Sequence, residues 1–224
     1  MGSKKKKNKR SEREKDKRVW RVEEKPKDIK FPEYMITNQK VDDERVVALP
    51  AEIRSKINDL RSKISFTPGD VIPELLKLIE GYPHIPLFYN YLSNAYLLIG
   101  DMSKAEETII ECYNKFPEYL FAKVGYANVL LKKGEGEKVP DIFEDKTNLR
   151  DLYPERDVFH ISEFIAFTDT VVRYFLFAGQ IDLAIPLFED LKKVAPYSPS
   201  TMLLEQVISS FKPSVVVSDR LGRG

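Results

Sequence analysis

A 34-residue period constrains this chain more than any other feature of its sequence. Leu92, Tyr96, Gly100, Ala105, Ile109 and Cys112 are followed 34 residues later by Tyr126, Leu130, Gly134, Val139, Phe143 and Lys146. Only the last pair breaks the apolar pattern. The window 165–198 repeats it as Val171, Phe175, Gly179, Ala184, Phe188 and Leu191, with Pro196 answering Pro117. One period before the first window, Val71, Leu75, Leu78 and Pro83 stand where Ala105, Ile109, Cys112 and Pro117 stand later. Self-similarity at this length marks an array of supersecondary units. Each unit reads as a helical hairpin. Apolar residues three and four apart stripe a first helix, and glycine ends it because glycine accepts left-handed dihedrals. A second striped helix then runs to a proline. Neither helix buries its stripe alone, so the units stack.

With its mid-unit glycine and terminal proline, the pattern resembles the tetratricopeptide repeat (TPR) family. The expected fold is all-α: a right-handed α-solenoid of about four TPR-like helical hairpins. The units fall at about 52–85, 86–119, 120–164 and 165–198. The first helix of the first unit departs from the motif, with Ile53, Ile57, Leu60 and Ile64 in a shifted register and no glycine at its turn. A capping helix over 200–211 closes the array, with Ser200 or Thr201 as N-cap and Leu204, Val207, Ile208 and Phe211 as its stripe. Pro73, Pro140 and Pro186 fall near the start of second helices and read as helix starters, since proline is tolerated in a first turn.

Outside 50–211 the composition changes. Residues 1–30 hold 14 Lys/Arg against 6 Asp/Glu, while the other 194 residues hold 22 against 29. A basic tail precedes a mildly acidic body. The tail has too few apolar residues to offset its ordering entropy and is expected to be disordered. Residues 31–49 are expected to lie extended along the body, or in its own groove. Residues 212–224 read as a loose tail. Cys112 is the sole cysteine, which favours a reducing compartment. No apolar run follows the N-terminal lysines, so no secretory signal is expected. The most apolar window, 158–178, carries Asp169 and Arg173 near its middle and is not read as membrane-spanning. A cytoplasmic protein is expected, or a nuclear one in a eukaryote.

The stretch richest in chemical groups is YPERDVFHISEF, residues 153–164. The period places it where about eleven residues have been inserted into the third unit. Asp157 reads as the N-cap of a lengthened helix running to about 177, with Val158 and Ile161 on its stripe. Arg156, His160 and Glu163 then form a contact surface. Zinc needs three or four ligands at suitable spacing, and the only other histidine, His84, is about two units away, so no metal is expected. Ser162 and His160 are two apart and face away from each other on a helix, which excludes a nucleophile–base pair.

Asn94 and Asn128 stand one period apart on first helices, with Asn90 one turn before Asn94. An amide donates to C=O and accepts from N–H without adding charge. The resemblance implies that first helices line a concave groove and that such asparagines hold peptide main chain. The following groove position is Arg173, with Asp169 one turn earlier. The resemblance also implies a test for a chaperone-tail clamp, which needs a lysine one turn before each groove residue. Asn90, Val124 and Asp169 stand there instead, so that clamp is not expected. The expected function is a non-catalytic scaffold or adaptor without cofactor, holding a peptide or partner helix. The alternatives are nucleic-acid association through KKKKNKR, 4–10, and a non-catalytic subunit of an enzyme assembly.

Overall fold

The structure is a computed structural model, and it describes residues 29–30, 33–41 and 43–211. The expectations for residues 1–28 and 212–224 therefore lie outside the described residues. Most of the described chain is helical. The helices α1 (Glu44–Val47) and α2 (Ala51–Ile64) lead into α3 (Pro68–Gly81), α4 (Pro86–Ile99), α5 (Met102–Lys115) and α6 (Leu120–Lys133). Two single-turn helices follow, α7 (Val139–Ile142) and α8 (Leu149–Leu152). The described residues end in α9 (Ile161–Phe177), α10 (Ile181–Val194) and α11 (Pro199–Phe211). Three short strands, β1 (Ile29–Lys30), β2 (Met35–Thr37) and β3 (Val158–His160), form one sheet in that order. No helix among the described residues is long and apolar enough to cross a membrane.

Local chemistry sets these boundaries. Gly100 and Gly134 cap α4 and α6 with φ of 82° and 78°, and Gly179 just beyond α9 has φ 70°. In this left-handed region a side chain is costly, so glycine stops the helix there. The Asp101 carboxylate accepts from the Lys104 N–H and opens α5. Proline occupies the first position of α3 and of α4, where no intrahelical N–H is lost. Pro73 and Pro186 correct the helix-starter reading. Both lie inside their helices, in the second turn of α3 and of α10. Pro140 does sit in the first turn of its helix, but that helix is α7, only four residues long.

Helix α4 packs on α3 and α5, α5 on α6, α9 on α10, and α10 on α11. The sequence α4, α6, α9, α11 is also continuous, each helix touching the next. Two cores result. One joins Val46 and Leu49 to the inner stripes of α2, α3 and α4, with Leu60, Leu75 and Phe88 fully buried. Each such side chain contributes about 1.5–3 kcal/mol through removal from water. The other gathers α6, α9, α10 and α11 around Phe159, Phe167 and Leu191, and includes Ile36.

The second core departs from the regular pattern. The helix expected after Gly134 stops at Ile142. Glu144 and Asp145 then take φ of 54° and 59° and turn the chain away. The buried Lys123 amine donates to the Ile142 carbonyl (3.0 Å) and to the Glu144 carboxylate (3.0 Å), pinning the turn. Within 31–49, Met35–Thr37 are held by strand pairing. β2 runs parallel to β3, with Ile36 opposite Phe159. A purely helical reading missed this sheet. It also misplaced the start of α9: residues 158–160 are strand, and the N-cap is His160 rather than Asp157. At α11 the cap is Ser198, whose hydroxyl accepts from the Thr201 N–H, rather than Ser200 or Thr201.

Candidate functional site

The charged stretch 153–164 folds into one compact cluster. The Arg156 guanidinium forks onto both oxygens of Glu163 (2.9 and 2.8 Å). It lies over the Phe159 ring at 4.4 Å and the Tyr153 ring at 5.6 Å. A planar delocalised cation suits both contacts at once. Glu163 is largely buried, and its carboxylate also accepts from the His160 N–H at 2.9 Å. In return the His160 ring accepts from the Ser162 N–H through Nδ1 at 3.1 Å. The two side chains thus satisfy the N–H groups of His160 and Ser162 at the start of α9. Arg150 reaches Asp157 (2.5 Å), which is thereby an ion-pair partner and not a cap.

One sequence expectation fails here. The Ser162 hydroxyl lies 2.7 Å from His160 Nδ1. The reason is that His160 is the extended residue before the helix, so residues two apart are not held on opposite faces. The contact makes a poor nucleophile–base pair. Nδ1 has one lone pair, and the Ser162 N–H already takes a share of it. Burial and the nearby Arg61 cation also hold His160 below its ordinary value, against a smaller opposite pull from Glu163 and the Asn38 backbone. The groups in this cluster hold one another, and they act as a clasp between β3, α9 and the N-terminal segment. Tyr34 completes it, edge-on to Phe159 at 5.5 Å.

The second candidate is a cleft of about 410 Å³ between α6, α9 and α11. Asn128, Leu131 and Lys132 line it from α6, Arg173, Leu176 and Phe177 from α9, and Leu204 and Val207 from α11. Most of its lining is aliphatic or aromatic, and its polar groups come from α6 and α9. None of the described residues 33–49 lines it.

The predicted groove residues divide. Asn128 and Arg173 do line this cleft. Asn128 uses both amide hydrogens internally, on the Val124 carbonyl (3.0 Å) and the Thr170 hydroxyl (2.9 Å). Its carbonyl oxygen remains as an acceptor. Arg173 forks onto the buried Asp169 carboxylate at 2.7 and 3.0 Å, so its charge is met within the protein. Asn94 is exposed on α4 and Asn90 half-buried beside it, and neither lines the cleft.

The apolar lining escaped sequence reading, yet a signal existed. Leu97, Leu131 and Leu176 occupy the same place in successive periods, off the inner stripe. Apolar residues recurring outside the buried stripe mark a second apolar strip. Among the described residues no group of three or more His, Cys, Asp or Glu is placed to hold a metal ion. Cys112 is buried, and burial pushes its thiol up to about 12. No protein-family model, curated protein or solved structure matches the chain.

Proposed function

We propose that this chain is a TPR-like α-solenoid acting as a non-catalytic scaffold, and that it holds a short apolar peptide or partner helix in the cleft between α6, α9 and α11. One observation carries this reading. The helices α4, α6, α9 and α11 pack side by side, and where three of them meet, Leu131, Leu176, Phe177 and Val207 line an open cleft over the buried Leu204. Phe177 is 47 % exposed at its edge. An apolar floor with a few convergent polar groups suits ligand burial. The Asn128 oxygen and the Lys132 amine are placed to fix a peptide's register, and the leucines and Phe177 to supply its affinity. Helix-in-groove recognition and extended-peptide recognition both use such surfaces.

The test is selection of peptides from a random library against the full chain, followed by binding to Phe177→Glu. The selected peptides are expected to be apolar and to lose at least tenfold in affinity with the variant. Asn128→Ala is expected to cost less, and Asn94→Ala nothing. Peptides whose affinity is the same for wild type and Phe177→Glu would place binding elsewhere.

A further inference from the structure

We infer that the cleft between α6, α9 and α11 takes an acidic segment of another protein, with one Asp or Glu side chain on Lys132 and an apolar residue to each side of it. This rests on the cleft being a peptide site, as proposed above, and names the chemistry of its ligand. Charge is the first support. The lining residues include Lys132 and Arg173 and no carboxylate. Arg173 is neutralised by the largely buried Asp169, whereas Lys132 is exposed and makes no ion pair among the described residues. The lining therefore keeps one unmatched cation, on a body whose residues 31–224 hold 22 Lys/Arg against 29 Asp/Glu. A body of that sign repels an acidic ligand in general, and the cleft attracts one locally. The chain's own termini carry the opposite charge to such a ligand. Residues 1–30 hold 14 Lys/Arg against 6 Asp/Glu, and 212–224 hold Lys212, Arg220 and Arg223 against Asp219. Neither terminus matches the cleft, so the ligand comes from a separate molecule.

The repeat period supplies the second support. Leu97 and Leu98 occupy on α4 the places that Leu131 and Lys132 occupy on α6, 34 residues on. They are 43 % and 54 % exposed, and α4 packs against α6. On the other side of α6, Leu176 and Phe177 line the cleft from α9. Lys132 is thus a single cation between two apolar patches. A segment that reaches both patches runs past Lys132. The carboxylate it offers there is therefore a side chain within the segment and not the chain terminus. Adjacent helix axes lie about 8–10 Å apart, and an extended chain advances about 3.3 Å per residue. The acidic residue accordingly stands about three positions from an apolar residue on each side. The apolar contacts supply affinity, and the ion pair fixes the register and speeds encounter.

The test takes peptides selected from a random library against the full chain, resynthesised with an amidated C-terminus so that no terminal carboxylate remains. Asp or Glu flanked by apolar residues is expected to be enriched over the starting library. Lys132→Glu is expected to weaken these peptides about tenfold, because like charges then meet. Replacing the peptide's acidic residue by lysine is expected to restore binding to that variant. Leu98→Ser is expected to weaken the original peptides by a smaller factor, and no loss there would overturn the apolar flank on α4. Lys132 and Leu98 are both exposed, so the fold is kept in these variants. Peptides that lose affinity with Phe177→Glu but keep it with Lys132→Glu would leave the cleft as a peptide site and overturn the acidic ligand. Binding that vanishes on amidation would overturn the internal side chain as its source. Self-association of the wild type that Phe177→Glu abolishes would make the occupant a second copy, and would also overturn the inference. Peptides indifferent to Phe177→Glu, or a library without binders, would overturn both readings.

Discussion

Helix α5 and the chain one period after it begin from nearly the same pattern and end differently. Ala105, Ile109 and Cys112 keep α5 helical for 14 residues. Val139 and Phe143 start the same stripe, but the third place is Lys146, and the helix ends at Ile142. The preceding helices show a matching exchange. Tyr89 is buried on α4, with its hydroxyl donating to the Pro83 carbonyl and accepting from the Lys115 amine. One period on, Lys123 is buried on α6 and reaches past the shortened helix to the Ile142 carbonyl. A cation at the C-terminal end of a helix meets its free carbonyls and its dipole. The core beside this shortened helix is filled by Leu149 and Leu152 from α8, by Phe159 from the inserted stretch and by Ile36 from the N-terminal segment. A missing apolar residue thus ended a helix, and side chains from two distant segments replaced its packing.

The largest effect that would break this comparison is at Phe159. The side chain is fully buried and stands in for a helix, so Phe159→Ala is expected to cost about 3–5 kcal/mol in denaturant unfolding. A loss under about 1 kcal/mol would mean that the insertion does not carry core packing there.

A smaller effect separates Lys123 from Tyr89. Lys123→Met leaves the Ile142 carbonyl without its donor and is expected to cost about 1–3 kcal/mol. Tyr89→Phe removes the bond to the Pro83 carbonyl and the one from the Lys115 amine, which is half-exposed and keeps Glu111, and is expected to cost about 1 kcal/mol. Equal losses would show that the amine is no more than a filler.

The smallest effect is the pH dependence of the clasp. His160 titrates below its unfolded value, so the folded chain resists a proton that the unfolded chain accepts. Stability is therefore full above about pH 6.5, the unfolded value, and falls as pH drops through it. His160→Asn keeps a capping side chain without a titrating ring. Its unfolding free energy is expected to change less between pH 8 and pH 5 than that of wild type. Parallel pH curves for the two proteins would remove His160 from the account.

The regular half of the molecule was legible because its signals are local. Gly100 and Gly134, one period apart, and Gly179, one period plus the insertion further on, each mark a left-handed turn, and most of the stripe residues around them are buried. The irregular half was not. Strand β3 is three residues long, too short to show alternation, and Val158 and Ile161 also fit a helical stripe. Its partner, Met35–Thr37, lies at the other end of the chain, and nothing near either segment records the pairing. Asp157 looked like a cap because aspartate caps helices well, but Arg150 had claimed it. At the cleft, the polar members Asn128 and Arg173 were found by their spacing. The leucines beside them were passed over, because apolar residues were assigned to the core.

The parallel pairing of β2 with β3 also sets an order on assembly. Synthesis delivers the N-terminus first, at about 5–20 residues per second. The hairpins made by α3, α4 and α5 have their partners close in sequence and collapse early. Ile36 waits until residues 158–160 have emerged, holding open one of the longest loops in the protein. A strand made early is thus among the last pieces to find its place, and an apolar residue destined for the core stays accessible to chaperones until β3 has been made.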